Sequence, residues 1–213
     1  MKTKAVLFDM DGLMFDTERL SDEVWTALAK REKLAMQSTD LQLLRGKTRE
    51  AGKAALLEKF GADFPFDRIC NAAMTEITAR LSETVPLRPG LLELLDTLKI
   101  NKIPAAVASS THRALVESNL RVAGVLDFIA AIATGDEVMH SKPAPDIFLL
   151  AAKRLGVAPE DCMVLEDSYY GVRAGVASGA RTIMVPDLDL PTPEIEQLAD
   201  AIVPSLADVI PLL

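Results

Sequence analysis

The segment Asp9-Met10-Asp11-Gly12 follows directly on the apolar run Ala5-Val6-Leu7-Phe8. The run has the length and character of a buried strand, so the two carboxylates emerge where that strand ends. In open α/β sheets this edge is where ligands bind. Residues two apart in an extended segment project to the same side, so Asp9 and Asp11 can face one reacting atom together. Two carboxylates this close repel unless a cation intervenes. The pair therefore suits a metal ion, or a nucleophile with an acid–base partner. Gly12 permits the sharp turn that brings backbone close to a ligand. Two plainer readings compete. Asp-x-Asp-Gly is also the composition of an ordinary polar turn. A calcium loop fails, because Leu13 and Leu20 stand where such a loop needs Asp or Asn and then Glu.

Three more polar clusters follow apolar runs. Ser109-Ser110-Thr111 comes after residues 103–108, and hydroxyls with backbone N–H groups at a helix N-terminus suit a phosphate. Simple N-capping by Ser110 or Thr111 is the alternative. Lys142 lies in Ser-Lys-Pro-Ala-Pro, held off any helix by the prolines, although a loop lysine is usually only solvated. The Lys142–Pro143 bond is a candidate cis peptide. Glu166-Asp167-Ser168 follows Met163–Leu165, where acidic residues can also merely complement a helix dipole.

The elements that must position these groups alternate. Strands are expected at 4–8, 103–108, 129–133, 163–165, 182–185 and 201–203. Helices are expected from Pro89-Gly90 to about Lys99, over 111–122, over 145–155 closed by Gly156, and from Ser168 to Gly179. Alternation of this kind gives an α/β fold, a doubly wound parallel sheet with helices on both faces. Residues 17–85 carry only helical patterns. One stripe is Trp25, Leu28 and Ala29; a second is Ala54, Leu57 and Phe60, ended by Gly61; a third is Ile69, Ala73, Ile77 and Leu81. The expected organisation is thus a core of residues 1–16 and 86–213 with a helical cap at 17–85. Such an insertion can close as a lid and exclude water from a reaction.

Composition excludes several classes. A chain of 213 residues with 49% hydrophobic content can bury a sizeable core and is not disordered. No uncharged apolar stretch reaches the length of a membrane span, and the N-terminus meets Asp9 too early for a signal peptide. A net charge of −8 without a basic run argues against nucleic acid as partner. The two cysteines, Cys70 and Cys162, lie far apart and read as small buried hydrophobes. A cytoplasmic monomer is expected. Neither His112 nor His140 has metal-site spacing; His112 suits phosphate or a helix start, and His140 the surface.

Taken in order, the four clusters resemble the haloacid dehalogenase superfamily. The first motif is Phe8-Asp9-Met10-Asp11-Gly12-Leu13 with Asp16-Thr17-Glu18 behind it. Ser109 is the second, Lys142 the third, and Leu165-Glu166-Asp167-Ser168 the fourth. Ser141-Lys-Pro-Ala-Pro-Asp-Ile-Phe148, and Asp167-Ser168 with Gly171, are similar to the β-phosphoglucomutase-like branch. The resemblance covers essentially the whole chain. It implies a Mg2+-dependent phosphatase of a small phosphorylated metabolite, such as a sugar, polyol or nucleoside phosphate. Asp9 would be the nucleophile, forming an aspartyl-phosphate. Asp11 would protonate the leaving oxygen and then accept a proton from water. Asp9, the backbone carbonyl of Asp11, Asp167 and Glu166 would hold the metal. Ser109, Ser110 and Lys142 would hold phosphoryl oxygens.

The cap would select the substrate. Arg49, in the basic stretch Arg45–Arg49, matches a family arginine that contacts substrate, with a solvated helix start as the alternative. Two other activities compete. One is a phosphosugar mutase. In the mutases that this chain resembles, a histidine sits on the first cap helix where this chain has Ser21, and serine cannot take up a proton near neutral pH. That departure favours water as acceptor. The other, non-catalytic metabolite binding on the same fold, would be favoured by loss of Asp9 or Lys142, and both are present. A dehalogenase needs no metal and is disfavoured by the acidic fourth motif.

Overall fold

A computed structural model describes residues 3–44 and 49–213. Among these residues six strands are observed: β1 (Ala5–Phe8), β2 (Ala105–Ser109), β3 (Ile129–Thr134), β4 (Cys162–Glu166), β5 (Arg181–Met184) and β6 (Ala201–Ile202). Eight α-helices accompany them: α1 (Thr17–Arg31), α2 (Arg49–Phe60), α3 (Phe66–Glu83), α4 (Leu91–Ile100), α5 (Arg113–Val122), α6 (Asp146–Leu155), α7 (Tyr169–Ala177) and α8 (Pro193–Leu198). Short 3₁₀ turns at Ser38–Leu43, Gly135–Glu137 and Leu206–Leu212 are too short to carry an apolar period.

The strands form one parallel sheet in the order β3-β2-β1-β4-β5-β6. The chain runs outward from β1 through β2 to β3, then crosses back to place β4 on the other side of β1. The order therefore reverses beside β1, the position at which open α/β sheets bind ligands. Phe8 pairs with Val107 on one side and Leu165 on the other, so the three central strands end at one edge. Every residue of β1, β2 and β4 is buried, as expected of strands covered on both faces. α6 turns Ile147, Phe148, Ala151 and Ala152 onto the small side chains Ala5, Ala106, Ala108 and Ala133, which let the helix approach the sheet closely.

Contacts divide the chain into two compact units, one of residues up to Asp16 with Val85–Leu213, the other Thr17–Thr84. Within the first unit, the two crossings that bound the insertion are tied together. Asp16 N donates to Pro86 O and Arg88 N to Met14 O, both at 2.9 Å. Within the second, Trp25, Leu28, Leu41, Leu56, Phe66 and Ile69 share a core. Of the stripe read at Ala54, Leu57 and Phe60, only Phe60 packs on this core. Ala54 is exposed, and the buried residues of α2 are Gly52 and Leu56. The stripes of α1 and α3 stand, apart from a half-buried Ile77. No helix among the described residues is long and apolar enough to cross a membrane. Cys70 and Cys162 are buried free thiols.

Candidate active site

Asp9 is 7% exposed and extends β1 by one rung, its N–H donating to Leu165 O at 3.0 Å. The chain then turns back sharply. Met10 O accepts from the N–H groups of Met14 and Phe15, and Gly12 N donates to Phe15 O at 2.9 Å. Gly12 makes this possible twice over. Its φ is +88°, and a Cβ there would stand 2.2 Å from Asp167 Oδ2. The missing side chain is the space into which the Asp167 carboxylate fits.

Lys142 reaches the end of β1 from a loop whose Lys142–Pro143 bond is cis. Its Nζ bonds Asp9 Oδ1 and donates to Glu166 Oε1 at 2.6 Å. Its ammonium also lies 4.9 Å from the centre of the Phe148 ring, which shields it from water. Glu166 is wholly buried. Its second oxygen, Oε2, accepts from Asp167 N, Ser168 N and Ser168 Oγ, all at 3.0 Å. Ser168 Oγ in turn caps α7 by accepting from Gly171 N at 3.0 Å. The helix start thus holds Glu166, and Glu166 with Asp9 holds the lysine.

Charge in this cluster is unbalanced. Burial is the main reason that the Asp9 carboxyl is pushed up to about 8; Glu166 and Asp11 add to it, and Lys142 works against it. Burial pushes the Lys142 ammonium down, but Asp9 and Glu166 overcome this and hold it above its ordinary range. Asp9, Glu166 and Asp167 each offer a carboxylate oxygen within 4.8 Å of the others. One lysine cannot neutralise three carboxylates. An oxygen-only donor set with this charge fits a hard divalent cation.

On the other side of β1, Asp11 Oδ2 accepts from Thr111 Oγ1 at 2.8 Å and from Ser109 Oγ at 3.4 Å. Ser109 is 1% exposed and its Oγ also accepts from Thr111 N at 3.0 Å. The loop after β2 therefore does not cap α5 with Ser110 or Thr111. Helix α5 starts at Arg113, its N-cap is His112 in extended conformation, and Arg113 N donates to Asp136 Oδ1 at 3.2 Å. Ser110 is exposed in that loop, and its carbonyl packs so tightly on Gly135 that a Cβ there would come within 2.3 Å. His112 is exposed, 4.0 Å from Asp136, and His140 is exposed and paired with Asp146 at 3.0 Å.

Asp9, Asp11, Ser109, Lys142, Glu166 and Asp167 are thus gathered at one edge of the sheet. Arg49 lies in the inserted unit. It donates to Asp67 Oδ1 at 3.1 Å and Asn71 Oδ1 at 2.9 Å, with its guanidinium 5.8 Å from the Phe66 ring centre. The rest of the basic stretch, Arg45–Thr48, lies outside the described residues. Sequence reasoning missed the bond between Thr111 and Asp11. The signal was there: Ser109 and Thr111 are two apart at the end of a strand, so they face the same way.

The sequence profile of the haloacid dehalogenase-like hydrolases matches residues 3–179, and the chain belongs to that family. Hexitol phosphatase A of Escherichia coli is 31% identical over 98% of this chain and 94% of its own length. The bifunctional riboflavin kinase/FMN phosphatase of Arabidopsis thaliana is 32% identical over 97% of this chain, which spans only 54% of that protein. Among solved structures, CbbY from Rhodobacter sphaeroides in complex with phosphate superposes with a TM-score of 0.79. It is 30% identical, with 97% of this chain and 96% of that chain covered.

Proposed function

We propose that the chain is a Mg2+-dependent phosphatase of small phosphorylated metabolites, sugar or polyol phosphates foremost. The observation that carries this reading is the lysine shared by two buried carboxylates, Asp9 and Glu166, beside a third at Asp167. A carboxylate that attacks an anionic phosphoryl group must overcome Coulomb repulsion, which is severe in a low-dielectric site. Lys142 is placed to offset it. Asp9, Asp167 and the backbone carbonyl of Asp11 would hold Mg2+, which supplies further charge neutralisation. Glu166 spends both oxygens on Lys142 and the α7 start, so its part is to orient the lysine.

In the first step an Asp9 carboxylate oxygen attacks phosphorus, the bond from phosphorus to the substrate oxygen breaks, and Asp11 gives that oxygen its proton. In the second a water oxygen attacks the aspartyl-phosphate, Asp11 takes the proton back, and Asp9 departs with inorganic phosphate released. Ser109 and Lys142 stabilise the charge on the phosphoryl oxygens, with Ser110 beside them. Arg49 contributes to substrate choice in this reading. The likeness to Hexitol phosphatase A supports hydrolysis, and Ser21 on α1 supports water as the acceptor.

The test is a panel of phosphorylated hexitols, sugars and nucleosides, with β-glucose 1-phosphate plus a bisphosphate primer included. Wild-type protein and Arg49→Ala are compared with Mg2+ and with chelator. Inorganic phosphate should be released from several members only with Mg2+, and Arg49→Ala should raise KM. Conversion to glucose 6-phosphate that outpaces phosphate release would instead establish a mutase.

A further inference from the structure

We propose that Thr111 is the positioning residue for the acid–base carboxylate Asp11, an assignment that rests on the phosphatase reading. Thr111 is fixed at three points. Its N–H donates to Ser109 Oγ at 3.0 Å, its carbonyl accepts from Gly135 N at 3.4 Å, and its hydroxyl donates to Asp11 Oδ2 at 2.8 Å. Ser109 is the weaker partner of the same oxygen, at 3.4 Å, and its Oγ is already engaged by the Thr111 N–H. Of the two hydroxyls on Asp11 Oδ2, Thr111 is therefore the one that orients it.

The chemistry explains why a hydroxyl stands there. Asp11 must carry a proton when the substrate oxygen leaves and must be ionised when water attacks. A lysine there would hold Asp11 in the ionised form by its charge. A neutral hydroxyl donates to Oδ2 in both states, as the carbonyl oxygen of the acid while the proton to be transferred sits on Oδ1 and as a carboxylate oxygen once that proton has gone, so the link survives both halves of the cycle. Thr111 touches neither the reacting oxygen nor phosphorus in this assignment. It acts through Asp11.

The leaving group separates this role from phosphate binding. A hexitol phosphate leaves as an alkoxide unless protonated, whereas p-nitrophenyl phosphate leaves as a stable anion that needs no proton. Thr111→Val and Thr111→Ala should lower kcat/KM for the hexitol phosphate about 10- to 100-fold and for the aryl phosphate by at most ~3-fold, since general-acid help is lost only where it is needed. Thr111→Ser should restore the alkyl substrate to within ~3-fold of wild type, because it keeps the hydroxyl. Asp11→Asn should show the same dependence on leaving group. Two substitutions are read so that a folding defect peculiar to one leaves the other informative, and kcat/KM of the aryl substrate, which ends at the first phosphoryl transfer and excludes the water step, reports the folded fraction. Equal losses on both substrates, a rise in KM alone, or no loss at all would overturn the assignment. Wild-type protein inactive on both substrates would remove the phosphatase reading itself, and the assignment with it.

Discussion

At the scale of single residues, the site is a problem of unbalanced charge. Two buried carboxylates and one ammonium meet at the end of β1 beside the half-buried Asp167, and the cost falls on Asp9. The consequence for stability has a definite sign. A carboxyl whose folded pKa lies above its unfolded value of ~3.9 lends its stability in full below that value, and loses it as pH rises toward the folded pKa. For Asp9 that window runs up to about 8. In chelator, the melting temperature of wild type should therefore fall relative to Asp9→Asn between pH ~5 and ~8. Added Mg2+ should narrow the gap at the upper end, because it binds only the folded, ionised site. Thermal unfolding of both proteins across that range is the check. A gap that stays constant with pH would show that Asp9 carries no such penalty.

At the scale of elements, the start of α7 is the part that holds the lysine in place. A Cβ at Gly171 would lie 1.7 Å from Glu166 Cδ, so the glycine is required by the carboxylate packed against the helix. Gly171→Ala must displace a buried, fully bonded Glu166, and should cost at least about 3 kcal/mol. It should also lower turnover by loosening Lys142. The urea midpoint and the phosphate-release rate together test this, and a variant unchanged in both would refute the packing argument. The acidic fourth motif was legible in the sequence as a polar cluster at a strand end, but the different surroundings of its two carboxylates were not. Glu166 and Asp167 are neighbours of the same charge, and only the hydrogen bonds to Lys142, Asp167 N, Ser168 N and Ser168 Oγ distinguish the first from the one beside Gly12. The start of α5 was misread for a related reason. Ser110 and Thr111 have the composition of N-caps, yet Thr111 spends its hydroxyl on Asp11, a partner one hundred residues earlier in the chain.

At the scale of the whole molecule, the parallel sheet was legible because buried strands such as Ala5–Phe8 and Met163–Leu165 leave continuous apolar runs, and their C-terminal ends carry the polar clusters. The 3₁₀ turns were not, since they are too short to set an apolar period; nor was the true buried face of α2, where Ala-rich composition blurs the stripe. The sheet order β2-β1-β4 is what turns three distant motifs into one site, with Asp9 at its centre. The claim that Asp9 forms a bond to phosphorus is tested most directly by phosphate release from a hexitol phosphate in Mg2+, wild type against Asp9→Asn, with folding of both checked by circular dichroism. Loss of the nucleophile should lower turnover on the order of 10³-fold or more in a folded protein. Turnover by Asp9→Asn near the wild-type rate would contradict the mechanism.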